Sequence, residues 1–79
     1  MHYVYILQST KNKSRRYVGL CTDLKNRLKE HNSGECKTTA TDRPWRIETA
    51  IFFRNEAKAH DFERYLKSGS GRAFSKRHF

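Results

Sequence analysis

No stretch of this chain approaches the roughly 18 consecutive apolar residues that a bilayer-spanning helix requires, which excludes a helical membrane protein. Met1-His2-Tyr3 is not a basic segment leading into an apolar one, so no secretion signal is expected. Each apolar stripe is narrow and broken by charge, which argues against a helix lying on a membrane surface. Cysteine is scarce: Cys21 and Cys36 are too few for a disulfide framework, and with His31 and His60 they match no recognised zinc spacing. Both are read as reduced thiols of a cytoplasmic protein. With one proline and four glycines there is no linker, repeat or low-complexity tract, so residues 1–79 are read as a single domain. Acidic residues are also few. Eight Asp and Glu stand against seventeen Lys and Arg, a formal net charge of +9. A field of that sign favours polyanions, with nucleic acid ahead of an anionic membrane.

What is abundant, apart from positive charge, is aromatic area. A chain of this size buries only about 60–65% of the surface it exposes when unfolded, so its core is one thin layer. Five Phe, four Tyr and one Trp supply large buried areas to that layer and favour a folded domain over a disordered tail. Trp45 is read as a core anchor.

Residues 3–8 read as a strand, with Tyr3, Tyr5 and Leu7 on one face and Val4 and Ile6 on the other. Residues 9–15 hold no apolar side chain and form a loop. Residues 16–20 close a hairpin, with Gly19 marking a close approach to the backbone. Thr22 is expected to cap a helix that runs to about Asn32 and stops at Gly34. Its inward stripe is Leu24, Arg27, Leu28 and His31, with Lys25, Lys29 and Asn32 elsewhere on the cylinder. Residues 33–44 form the longest loop. Trp45 to Phe53 is a third strand, with Ile47, Thr49, Ile51 and Phe53 on one face. Asn55 caps a helix whose stripe is Ala59, Phe62, Glu63 and Leu66, and Gly69 is expected to end it. Ser70 caps a last short helix reaching about Arg77. The order β-β-α-β-α-α is an α+β plan in which helices cover a small sheet.

Arg27, His31 and Glu63 occupy stripes where a core wants leucine, and Tyr17 lies on a strand just before them. Phosphodiester hydrolysis needs an activated water, a stabilised pentavalent phosphate and a neutralised leaving oxygen. A guanidinium matches two phosphate oxygens with a fork of donors. A carboxylate with few neighbours suits one Mg²⁺, which keeps several waters. A phenol takes a proton from water once cations or a metal-bound water favour the phenolate. Tyr17, Arg27 and Glu63 supply these three groups.

At these residues the chain resembles the GIY-YIG endonucleases. Tyr3-Val4-Tyr5 stands as the first motif and Tyr17-Val18-Gly19 as the second. Thr22-Asp23-Leu24-Lys25-Asn26-Arg27-Leu28-Lys29-Glu30-His31-Asn32 follows, and later Glu63 within Phe62-Glu63-Arg64-Tyr65-Leu66-Lys67. The chain looks most like the small stand-alone members, related to the N-terminal nuclease domain of the UvrC repair protein. The resemblance implies a three-stranded antiparallel sheet flanked by helices and a metal-dependent endonuclease of the repair or recombination type. It implies Tyr17 as general base or relay, Tyr5 positioning water and phosphate, Arg27 stabilising the transition state, His31 supporting the nucleophile side, and Glu63 holding a single Mg²⁺ or Mn²⁺. The first motif has Tyr3 where the family name has glycine. Many members carry an asparagine after the metal-binding glutamate, whereas here none follows Asn55.

Plainer readings stand beside these. Tyr5 and Tyr17 also suit a hairpin's cross-strand aromatics. Arg27 and His31 also suit a snorkelling boundary stripe. Glu63 and Lys67 are an ordinary i, i+4 helix pair. Lys13, Arg15, Arg16, Lys25, Lys29 and Arg72 are expected to touch phosphate, with little sequence information and steep salt dependence. Gly69-Ser70-Gly71-Arg72 suits a phosphate cradle less well than it suits one helix stopping and the next starting. Expected partners are nucleic acid, DNA ahead of RNA, with a second copy or another protein supplying specificity, and no membrane. The alternative functions are a basic DNA- or RNA-binding module of the same fold without turnover, and a basic assembly protein acting by charge alone.

Overall fold

The alternation in the first strand sorts its side chains onto two faces, and both faces are covered. The computed structural model describes residues 2–79. Strands β1 (His2–Ser9), β2 (Arg16–Cys21) and β3 (Trp45–Phe53) form one antiparallel sheet in the order β2-β1-β3. The helices are α1 (Leu24–Ser33), α2 (Lys37–Ala40), α3 (Glu56–Lys67) and α4 (Gly69–His78). This is the expected α+β plan, with the four-residue α2 added inside the segment read as a loop. Among the described residues, no helix is long and apolar enough to cross a membrane.

Val4 and Ile6 point to one face and pack with Ala59 and Leu66 of α3, joined by Val18, Leu20, Phe53, Phe62, Phe74 and Phe79. Tyr5 and Leu7 point to the other, against Cys21 and Trp45, with Tyr17, Leu24, Leu28 and Ile47 around them. Burying one face under α3 and α4 and the other under α1 explains how so few apolar residues suffice. β1, at the centre, is buried from Val4 to Leu7, and burial of such side chains stabilises by about 1.5–3 kcal/mol each.

Four local expectations need correction. Ile47 and Phe53 share parity in β3 yet lie on opposite faces. β1 pairs Ile6 with Thr49 but Leu7 with Ile47, so Glu48 is the extra residue of a β-bulge and flips the alternation. The first helix is capped by Asp23 and not Thr22: its carboxylate accepts from the Asn26 N–H, and a negative charge suits a helix N-terminus. Gly69 does not end α3. Ser68 does, in extended backbone, and its hydroxyl then accepts from the Gly71 N–H as the cap of α4. Ser70 therefore lies inside α4 and does not cap it. Gly71 lets the two helices meet at this corner, since a Cβ there would stand 1.7 Å from the Tyr65 carbonyl oxygen. Asn55 caps α3 as expected, accepting from the Lys58 N–H, and Gly34 ends α1 with φ 86°.

The segment between α1 and β3 is tied down by side chains. Asn32 holds Trp45 from both sides, its Oδ1 accepting from the Trp45 N–H and its Nδ2 donating to the Trp45 carbonyl. Ser9 is fully buried. Its hydroxyl donates to the Asp42 carbonyl and accepts from the N–H groups of Lys11 and Asn12. Trp45 is the core anchor expected of it, and its Nε1 donates to the Thr39 carbonyl at 2.8 Å.

Candidate active site and basic cleft

Tyr5, Tyr17 and His31 come together, and the sheet register explains why. Tyr5 pairs across the hairpin with Gly19, and Leu7 with Tyr17, so both tyrosines share the face that α1 covers. His31 descends from α1 between them. Its Nε2 lies 3.0 Å from the Tyr5 hydroxyl, and its ring centroid lies 4.9 Å from that of Tyr17 and 6.0 Å from that of Tyr5. Gly19 makes room for this: a Cβ there would stand 2.3 Å from the Tyr5 hydroxyl oxygen. The close approach read at Gly19 is thus made by Tyr5 itself.

Hydrogen-bond accounting sets the direction of the chain. Tyr5 is 2% exposed and its hydroxyl meets only His31, so that O–H must donate to Nε2. Nδ1 then carries the proton and donates to the Thr39 hydroxyl at 2.8 Å. Thr39 in turn donates to the Cys36 carbonyl. Each donor in this chain has an acceptor, and the imidazole is neutral. The local electrostatics agree. Burial, and then the Arg27 charge, lower the His31 pKa from its ordinary value. Burial raises the Tyr5 phenol well above its usual range, with Tyr17 adding to the rise and Arg27 opposing it. The Cys21 thiol is also raised by burial. Tyr5 therefore stays protonated and acts as a fixed donor, and the half-buried Tyr17 is the more accessible phenol of the pair.

Arg27 and Glu63 stand farther out. Arg27 is an exposed boundary residue paired with Glu30 at 3.6 Å, and its charge still reaches Tyr5, Cys21 and His31. Glu63 rides on α3, over the opposite face of the sheet, and its carboxylate pairs with the Lys67 ammonium. This is the i, i+4 pair read from the sequence, but the Glu63 side chain is largely covered, at 15% exposed. Among the described residues, no hydrogen bond or ion pair joins Glu63 to Tyr17 or Arg27, and no three His, Cys, Asp or Glu side chains cluster as metal ligands. A lone carboxylate still fits Mg²⁺ or Mn²⁺, which retain several waters and need one or two protein oxygens. The edge strand β2, carrying Tyr17, lies between the two helix layers.

A cleft of about 790 Å³ opens along that edge. Tyr17 lines it together with five cations: Arg15 and Arg16 from β2 and its loop, Lys67 from α3, and Arg72 and Lys76 from α4. The expected phosphate contacts divide accordingly. Arg15, Arg16 and Arg72 meet in this cleft. Lys25 and Lys29 flank a smaller recess along α1, beside Asp23. Lys13 lines neither and sits exposed in the β1–β2 loop, where its carbonyl accepts from Gln8. The residue the sequence did not reveal is Thr39, the acceptor for His31. It lies in a polar segment with no periodicity, and only the fold brings it under α1.

The model of the family described as the GIY-YIG catalytic domain matches residues 1–77. No protein of curated function matches. Among solved structures, the chain is similar to the UPF0213 protein BH0048 from Bacillus halodurans, determined by solution NMR. The two are 33% identical with a TM-score of 0.58, over 95% of this chain and 79% of that one. With its motifs in register on a β2-β1-β3 sheet and the family model spanning nearly its whole length, this chain belongs to the GIY-YIG nuclease family.

Proposed function

We propose that the protein is a metal-dependent endonuclease that hydrolyses the nucleic-acid backbone, DNA in preference to RNA, in a repair or recombination role. The observation that carries this is the Tyr5–His31–Thr39 chain holding its imidazole against Tyr17 at the lip of a cationic cleft. A core needs no buried histidine; here it fixes the face on which Tyr17 rests. In this reading Tyr17 takes the proton of the attacking water, directly or through one intervening water. Arg27, close enough to act electrostatically on the cluster, forks onto the phosphate oxygens as charge builds there. Glu63 would hold Mg²⁺ or Mn²⁺, which when bound neutralises charge on the leaving side of the phosphate. Tyr5 and His31 orient Tyr17 and keep the floor of the site dry.

The test is nicking of labelled duplex, single-stranded and flap DNA and of RNA, with Mg²⁺ or Mn²⁺. Arg27→Ala and Glu63→Gln are expected to abolish cleavage while both variants stay folded, the exposed Arg27 site losing about 0.5 kcal/mol of stability or less. Wild-type protein that cuts none of these with either metal sinks the reading. The second reading, a binding module without turnover, is favoured by the absence of any asparagine after Asn55. It predicts salt-sensitive nucleic-acid binding that is indifferent to chelator and to Glu63→Gln.

A further inference from the structure

Five cations around one cleft repel one another, and only two of them are neutralised nearby. Arg15 pairs with Asp42 and Lys67 with Glu63. Arg16, Arg72 and Lys76 line the same space and form no ion pair among the described residues. Arg72 and Lys76 are one helical turn apart on α4, so both reach the cleft from the same side. Such a concentration of one sign costs stability unless an anion shares the space. The floor is different in kind: the half-buried Val18 and Phe79 offer apolar surface there, backed by Ile6 and Leu66, which are buried in the core. Ser75 adds a buried hydroxyl with no hydrogen-bond partner.

Cationic walls over an apolar floor suit a ligand that is anionic on one side and flat and apolar on the other. An unpaired nucleotide has that character, with its phosphates outward and its base face free to lie on carbon. Base-paired DNA does not, because its base faces are stacked on one another. The volume agrees, since about 790 Å³ is within the range of pockets that enclose a small-molecule-sized ligand. We propose that this cleft binds an unpaired nucleic-acid strand next to the catalytic face, phosphates on Arg16, Arg72 and Lys76 and a base against Phe79. Substrates are then chosen for a single-stranded or splayed segment. The proposal rests on the nuclease reading for its biological meaning but not for its test.

The test is binding without catalysis. Fluorescence anisotropy of labelled oligothymidylate and of a blunt duplex of equal length is followed in EDTA across a salt series. Wild-type protein is expected to bind the single strand about tenfold more tightly than the duplex at equal salt. Arg72→Ala/Lys76→Ala should weaken single-strand binding about tenfold or more. It should also flatten the log–log salt dependence by about 0.7 for each phosphate that the variant no longer neutralises, while duplex binding changes little. Lys37→Ala/Lys58→Ala removes the same charge away from the cleft and should leave the preference intact. Arg72 and Lys76 are exposed, and unchanged circular dichroism melts confirm that the variants fold. Equal or tighter duplex binding overturns the proposal, as does an equal weakening on both ligands in the cleft variant. A protein that nicks blunt duplex but shows no single-strand preference keeps the nuclease reading and loses this one. A protein that prefers single strands but never cuts does the reverse.

Discussion

At the scale of single residues, His31 is the pivot. Its folded pKa is depressed, so between the folded value and the ordinary value of about 6.5 the unfolded chain binds the proton and the folded chain does not. The stability it contributes is fully present above about 6.5 and is lost as pH falls through the folded value, when a protonated Nε2 can no longer accept from Tyr5. An NMR titration of the His31 ring should therefore show a midpoint below that of an unstructured histidine, with stability to urea falling over the same acidic window. A midpoint at or above 6.5 contradicts an imidazole held neutral by burial. Gly19 is the second residue-scale case. Gly19→Ala places a methyl into the Tyr5 hydroxyl, so Tyr5 or the strand must shift. Overpacking of this kind costs about 1–3 kcal/mol, to be read in thermal melts. The displaced Tyr5 should also release His31 and raise its titration midpoint. Neither residue's role was open to sequence reasoning in full. The pattern marked Tyr5, Gly19 and His31 as unusual, but the bond that unites Tyr5 with His31 spans 26 residues of chain.

At the scale of elements, the sequence disclosed periods and missed junctions. Strand and helix positions follow from alternation and from stripes, which are local properties, and those expectations held for β1, β3, α1 and α3. Junctions are set by which backbone N–H finds which side chain, and neighbouring candidates compete. Thr22 and Asp23 are both good caps; the carboxylate won. Ser68 and Ser70 are both good caps; Ser68 won, because α4 must turn sharply against α3 where Gly71 admits the Tyr65 carbonyl. Ser68→Ala should cost about 1 kcal/mol, the usual effect of removing a cap. Gly71→Ala should cost more, since its neighbour is backbone and cannot swing aside. Urea unfolding of both variants gives the comparison, and a Gly71→Ala protein as stable as wild type would refute the tight corner. The bulge at Glu48 belongs to this scale too. Nothing in Trp45–Phe53 announces it, because the extra residue is specified by the partner strand and the two cores it must serve.

At the scale of the whole molecule, charge and topology act together. The net charge of +9 predicts binding to any polyanion, with affinity falling steeply as salt rises. The slope of log K against log salt should be independent of chelator, while cleavage should disappear with it. A slope near zero, measured by anisotropy on mixed-sequence DNA, would contradict electrostatic capture. Topology explains how one thin domain holds both candidate surfaces. The sheet separates α1 with Arg27 from α3 with Glu63, and β2, which carries Tyr17, is one of its two edges. The cluster around Tyr17 lies on one face at that edge, and the basic cleft opens beside it.

The linear chain by itself determined the α+β class, the three strands and the longer helices, its own net positive charge and the family motifs. Each of these is written in composition or in a short-range period of two or 3.6 residues. Tertiary structure alone decided that Tyr5 donates to His31 and not to a ligand, that Thr39 completes that chain, that Glu48 reverses a strand's faces, and that Arg16, Arg72 and Lys76 share one cleft. Those outcomes depend on distances between elements far apart in the chain. Such distances are fixed by strand register, helix crossing and the satisfaction of buried polar groups, none of which any local stretch of residues contains.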